Sequence, residues 1–210
     1  TTKETQTLVR DELDDPQAEL AMIGPGGENL VTYACVMNGL KDAAGRSGMG
    51  AVMGSKGLKA IVVRGTQNVT GADPDTIMAM ARRAAQEVRE EKRAAWASKA
   101  GTGGTSLEGG IISGNMPIRN FRDGEFSEIS GLEYIMDKIG VKMEGCWACA
   151  VRCKKVVEAE EPYDVDPDYG GPEYETIGAL GSTCGVSDIV AVSRANEPTS
   201  PPSKPIGAPS

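Results

Sequence analysis

The pattern of apolar and polar positions changes character along the chain. In the first third, short apolar runs alternate with turn residues. Leu20-Ala-Met-Ile23 reads as a brief strand closed by Gly24-Pro25-Gly26-Gly27. Leu30 to Met37, rich in β-formers, predicts a second strand, and Lys59 to Arg64 a third, buried one ended by Gly65. Thr1 to Pro16 is polar and acidic, and the chain reads as beginning mid-domain. From Asp73 onward helical spacing takes over. Asp73 as N-cap and Pro74 at the first position open a helix to about Ala100, with Ile77, Ala81, Ala84 and Val88 on one face and its charges on a solvated one. Ser130-Gly-Leu-Glu133 is a capping box for a short helix that turns Leu132, Ile135, Met136 and Ile139 inward and stops at Gly140. Pro172 can start a helix whose first turn carries Glu173, Tyr174 and Glu175, and Ser187-Asp188 caps a last helix through Asn196. These breaks divide the chain into 1–69, 70–197 and a Pro/Ser tail, 198–210, whose composition predicts disorder.

Two glycine-rich stretches interrupt the pattern. Ala43 to Lys56 holds four glycines with Arg46 and Lys56, so its backbone N–H groups are able to cradle a phosphate. It is neither a dinucleotide fingerprint nor a Walker loop, and on these residues alone a glycine-rich turn packed against a sheet is the favoured reading. Gly101-Thr-Gly-Gly-Thr105 reads as a flexible loop, and Asn115 to Phe121 leads into a turn. Either can line a pocket or simply connect two elements.

The densest chemistry is Gly145-Cys-Trp-Ala-Cys-Ala-Val-Arg-Cys153. Three of the five cysteines, Cys146, Cys149 and Cys153, fall in C-x2-C-x3-C spacing. Soft thiolates this close suit iron–sulfur iron or zinc, and a purely redox or buried role is the remaining reading. Cys146 and Cys149 are too near each other for an ordinary structural disulfide. A zinc ribbon wants a second C-x-x-C or a pair of His, and the chain has no His. Bacterial ferredoxins and radical enzymes that cleave S-adenosylmethionine space their cysteines differently. A cubane cluster needs a fourth thiolate. Cys35 and Cys184 are the remaining cysteines, and Cys35 reads as a core residue rather than a ligand. The carboxylates Glu173 and Glu175 are favoured by a helix N-terminus, and their sharper reading, with Tyr174, is acid/base work or substrate orientation.

Composition narrows the class. At 210 residues and 40% hydrophobic content the chain supports one or two folded domains. A formal net charge of −8 disfavours nucleic acid as a partner. No apolar run long enough for a transmembrane helix is present, which disfavours membrane insertion, and free thiols predict a reducing, cytoplasmic setting.

Several segments match a known family in its own order. They are Ile23-Gly-Pro-Gly-Gly-Glu-Asn29, Ala44 through Lys56, Leu58-Lys-Ala-Ile61, Gly101 to Thr105, and Met116-Pro-Ile-Arg-Asn-Phe121. The three cysteines and Gly171-Pro-Glu-Tyr-Glu-Thr176, running into Ala179-Leu-Gly-Ser-Thr-Cys-Gly185, complete the set. Together they resemble the aldehyde ferredoxin oxidoreductase family, tungsten-dependent enzymes with a bis-pterin cofactor. The resemblance implies an α+β fold: the C-terminal part of a pterin-binding β-rich domain, then the start of a mainly helical iron–sulfur domain. It implies a 4Fe–4S cluster on Cys146, Cys149 and Cys153 and a tungsten (or molybdenum) bis-pterin contacted by Ala43, Gly45, Arg46 and Gly48. It also implies Glu173, Tyr174 and Glu175 bordering the metal. Its partners would be an aldehyde substrate, ferredoxin or another electron-transfer subunit, and a second copy in the full-length enzyme. The family's further pterin motifs, a His and the fourth cysteine have no counterpart in these residues. The chain is therefore expected to be a piece of such an enzyme, inactive alone. The tungsten subunit of a benzoyl-CoA reductase, or a non-catalytic iron–sulfur electron-transfer module, is the alternative.

Overall fold

The computed structural model describes residues 1–67, 71–126, 128 and 135–197, the side chains of 104–108 apart. Among the described residues two compact units emerge, Thr1–Gln67 with Glu197, and the residues from 71 to Asn196. The proposed capping box at Ser130–Glu133 and the Pro/Ser tail lie outside the described residues.

In the first unit, helix α1 (Thr2–Leu13) starts at a capping box that the sequence reading passed over. The Thr1 hydroxyl accepts from the Glu4 amide, and the Glu4 carboxylate reaches back to the N-cap backbone. A four-stranded antiparallel sheet follows in the order β3-β2-β1-β4. Its strands are β1 (Glu19–Met22), β2 (Val36–Asn38), β3 (Asp42–Ala44) and β4 (Ala60–Val63). Leu20, Met22 and Met37 form its small core, with Val9, Cys35, Leu40 and Ala60 packed against them. Cys35 is half-buried there, as its sequence context suggested.

Three expectations for this unit fail. The Leu30–Met37 strand shrinks to Val36–Asn38, because residues 30–34 spend their backbone groups on turns. Leu30 takes a positive φ of 57°, Val31 N–H donates to Gly26 O at 2.9 Å, and Ala34 O accepts from Gly50 at 2.9 Å. β4 is not buried. It is an edge strand paired with β1, and Ile61, Val62 and Val63 are exposed, so its apolar run reports β-propensity rather than burial on two faces. The glycine-rich stretch is only half loop: β3 and a turn give way to helix α3 (Met49–Ser55). Its glycines serve packing. Short helix α2 (Pro25–Glu28) lies against α3 so closely that a Cβ on Gly54 would strike the Gly27 carbonyl, while one on Gly50 would strike the carbonyls of Cys35 and Ala34.

The second unit opens with α4 (Pro74–Glu90), where the Asp73 carboxylate accepts from the Thr76 amide at 3.0 Å and lies below its usual pKa for that reason. No residue of α4 is buried, and of the expected inward face Ile77, Ala81 and Ala84 are exposed and Val88 half-buried, so most of that face has no cover among the described residues. The chain breaks at Glu91 and resumes as α5 (Lys92–Ile112), which kinks at Gly101 (φ 66°, ψ −176°). The supposed Gly101–Thr105 loop is thus helical on both sides of a single aberrant glycine. Next come α6 (Met136–Ile139), stopped at Gly140 as expected, the hairpin β5 (Gly140–Glu144) and β6 (Lys154–Val157), α7 (Tyr174–Thr176), a π turn, and α8 (Ile189–Asn196), capped by Asp188. The unit's core gathers Met116, Ile118, Phe126, Ile135, Ile139, Val157, Val165, Ile177, Ile189 and Val192. Among the described residues no helix is long and apolar enough to cross a membrane.

A candidate cysteine and carboxylate site

The cysteines sit in the loop of the β5–β6 hairpin, whose last rungs pair Glu144 with Lys154 and Met143 with Lys155. Cys149 N–H donates to Cys146 O at 3.0 Å, closing a tight turn, while Ala148 and Arg152 adopt left-handed φ values of 55° and 54°. Cys146 and Cys149 are exposed, Cys153 half-buried, and Trp147 is 98% exposed at the tip. Backbone N–H groups of Arg152 and Val151 hold the Cys149 thiol below the usual range. Burial pushes Cys153 up, assisted by the negative charge of Glu173 and, more weakly, of Cys149 and Cys146. The three sulfurs and Glu173 therefore share one electrostatic neighbourhood. Among the described residues no three His, Cys, Asp or Glu side chains converge closely enough to grip a metal ion. The fit to a cluster rests on the donor chemistry: three thiols on one short loop, with N–H donors already aimed at one sulfur. Cys184 is exposed, its thiol directed at the Ala179 carbonyl at 3.3 Å.

Behind the loop lies a feature the sequence reading missed. Lys155, two residues after Cys153, is wholly buried, its ammonium 3.2 Å from the Glu173 carboxylate. Yet Nζ has no acceptor in hydrogen-bond geometry among the described residues. Two glycines make room for this side chain. A Cβ on Gly101 would overlap the ammonium and come within 2.9 Å of Cys153 O, and one on Gly171 would lie 2.9 Å from the Lys155 Cβ. Glu173 also accepts from the Thr102 hydroxyl, which in turn accepts from the Tyr174 amide at 3.2 Å. The three residues predicted as a group thus separate. Glu173 is clasped and a third exposed, Tyr174 packs against the core, and Glu175 faces solvent.

Nearby, Arg119, Asn120 and Phe121 form the predicted turn, all with left-handed φ (44°, 58° and 61°). Such residues cost about 1–3 kcal/mol each. Burial of Met116 and Ile118, worth about 1.5–3 kcal/mol apiece, holds the turn, as do hydrogen bonds from Ser182 and Thr183 to Pro117 O at 3.0 Å.

In the first unit, Ala43 is exposed within β3, Gly45 and Arg46 are exposed on the turn between β3 and α3, and among the described residues nothing beyond its chain neighbours comes within 4 Å of a Cβ built on Gly45. Gly48 is buried at φ 64° against the Thr32 carbonyl, so its role is to make the turn. A pocket opens on the outer face of the sheet, lined by Glu19, Leu20, Ala21, Asn38, Gly39, Asp42, Ile61 and Val63. Its two carboxylates suit it poorly to a phosphate.

Residues 1–65 match the aldehyde ferredoxin oxidoreductase N-terminal domain, and residues 79–200 match domains 2 and 3 of the same enzymes. The chain is 39% identical over 202 residues to a tungsten-containing aldehyde ferredoxin oxidoreductase of Pyrococcus horikoshii, covering 92% of this chain and 32% of that protein. It is 31% identical over 175 residues to an aliphatic sulfonate oxidoreductase, WOR-like subunit, of Pyrococcus furiosus, covering 78% and 26% respectively. Among solved structures it is similar to the active-site complex BamBC of benzoyl coenzyme A reductase bound to 1,5-dienoyl-CoA. The TM-score is 0.69 at 25% identity, over 93% of this chain and 32% of that one. The chain spans between a quarter and a third of the length of these relatives. It belongs to the aldehyde ferredoxin oxidoreductase family.

Proposed function

We propose that this chain forms part of a tungstopterin oxidoreductase that converts aldehydes to carboxylic acids, and that Cys146, Cys149 and Cys153 give it three ligands of a 4Fe–4S cluster. The observation that carries the reading is the three-cysteine hairpin loop backed by the clasped Glu173, in a chain whose two halves match the family's domains in order. Ala43, Gly45, Arg46 and Gly48 would border a tungsten or molybdenum bis-pterin, with the Arg46 guanidinium free to meet a phosphate. When bound, pterin, metal and cluster supply the two-electron oxidation and the route of electrons to ferredoxin. The chain's own residues do the rest. Glu173 keeps one face open to solvent while Thr102 and Lys155 fix the other, which suits a carboxylate that receives a proton from a hydrated aldehyde. Tyr174 packs against the core and its amide donates to the Thr102 hydroxyl that Glu173 accepts from, and Glu175 would meet substrate or water at the rim.

The test is anaerobic expression with iron and tungstate, metal analysis, EPR of the dithionite-reduced protein and aldehyde-dependent viologen reduction. About four irons per chain and a reduced-cluster signal support the ligand assignment, and aldehyde-dependent turnover supports the reaction. Zinc alone would return the cysteines to a structural role. The similarity to the benzoyl coenzyme A reductase complex favours a second reading, a tungsten subunit that works on an aromatic thioester ring. It predicts viologen reduction with a dienoyl-CoA and none with aldehydes.

A further inference from the structure

The Lys155 ammonium presents an unsolved polar burial. It is fully buried, lacks a hydrogen-bond acceptor among the described residues, and has a counter-charge, Glu173, that keeps a third of its own surface in water. A lysine so placed costs stability unless something nearby favours positive charge. Its neighbours point one way. Lys155 stands on β6 two residues from Cys153, and the Cys153 carbonyl and the ammonium converge on the same gap left by Gly101. Cys146 and Cys149 belong to the same hairpin loop as Cys153.

We propose that Lys155 is a positioning residue for the cysteine site: it pins Glu173 against the Gly101–Thr102 kink, and its buried positive charge offsets the negative charge that Cys146, Cys149 and Cys153 carry as thiolate ligands. This rests on the cluster assignment above. Three thiolates and a cluster concentrate negative charge at one end of the hairpin, and reduction adds one more electron. A fixed ammonium in a low-dielectric setting stabilises that added charge more than a solvated one would. Glu173 opposes it from the same side. The two groups should therefore move the cluster's reduction potential in opposite directions, while a lysine that merely fills space would move it in neither.

The experiment compares wild type, Lys155→Met, Lys155→Arg and Glu173→Gln. Each is reconstituted anaerobically with iron and sulfide and examined by EPR at a series of poised potentials. Loss of the ammonium in Lys155→Met should shift the reduction potential negative, loss of the carboxylate in Glu173→Gln should shift it positive, and Lys155→Arg should stay near wild type. Should Lys155→Met fail to fold, Lys155→Gln makes the same change in charge with a polar head. A wild-type protein that takes up no cluster overturns both this proposal and the assignment beneath it. A cluster whose potential is the same in all four proteins, or moves in one direction in both neutralised variants, overturns this proposal alone.

Discussion

The cysteine loop and the Lys155–Glu173 clasp behind it are neighbours in the fold but built on opposite principles. In the loop, Cys146, Trp147 and Cys149 face solvent, the backbone bends through left-handed residues, and these two thiols have room to reorient. In the clasp, a buried cation, a carboxylate, a hydroxyl and two glycines fit with no space for a methyl group. The difference suggests a division of labour. The loop leaves its thiols adaptable, and the clasp would give rigid support to a site built on them.

The sharpest way to break the closed half is Gly101→Ala. Its φ of 66° with ψ near 180° is a region only glycine occupies comfortably, and the new methyl would strike the Lys155 ammonium. Strain and overpacking together should cost about 2–4 kcal/mol in urea denaturation. A loss below about 1 kcal/mol would show that the clasp yields easily.

Next comes an asymmetry. Glu173→Ala leaves a buried ammonium without its counter-ion, a situation that costs about 3–5 kcal/mol when both partners are buried. Because Glu173 is a third exposed and water can approach, the loss should be nearer 2–3 kcal/mol, with the same discount applied. Lys155→Met removes the buried charge itself and leaves a carboxylate that can hydrate, so it should cost less than Glu173→Ala. Equal losses, measured by thermal or urea unfolding, would mean that the pair works through packing alone.

The sequence reveals the two halves unequally, and the reason is range. C-x2-C-x3-C is a local pattern, so the cysteine cluster is visible at a glance. So are Asp73-Pro74 and Asp188, whose caps need only the next two or three residues. The clasp is assembled from positions 101–102, 155 and 171–173, and nothing near Lys155 marks it. Lys154-Lys155 between a cysteine and Val156-Val157 reads as the solvated rung of a strand. Gly101-Thr-Gly-Gly reads as a loop because glycine is a poor helix former, a cost of about 1 kcal/mol per residue; in the fold, tertiary contacts outweigh that cost. The exposed apolar run of β4 and the uncovered face of α4 went wrong for a related reason, since period and propensity name a preferred face without saying what covers it. Only the Thr1–Glu4 capping box was local and legible yet passed over.

The comparison also predicts an order of chemical reactivity within the loop. Alkylation by iodoacetamide requires the thiolate. Cys149, exposed and held below the usual thiol pKa by backbone N–H groups, keeps its thiolate to lower pH, so its rate should rise at a pH below that of an ordinary cysteine. Cys153, pushed up by burial and by Glu173, should react last and need higher pH. Mass mapping of the metal-free protein across a pH series checks the order. If Cys153 reacts as readily as Cys149, the boundary between open loop and closed clasp does not run between them.

The smallest expected effect is the most direct test of openness. Trp147 stands at the tip of the cysteine turn with its indole 98% exposed, where a core tryptophan would bury most of its surface. Removing a buried Trp costs about 3–5 kcal/mol, but Trp147→Ala removes contacts with water and almost none with protein. Its stability should stay within about 0.5 kcal/mol of wild type, and the fluorescence of Trp147 should match that of a solvated indole. A loss above about 1 kcal/mol, or a blue-shifted emission from this residue, would show that the tip is covered in solution. The adaptability assigned to the loop would then belong to neither half of the site.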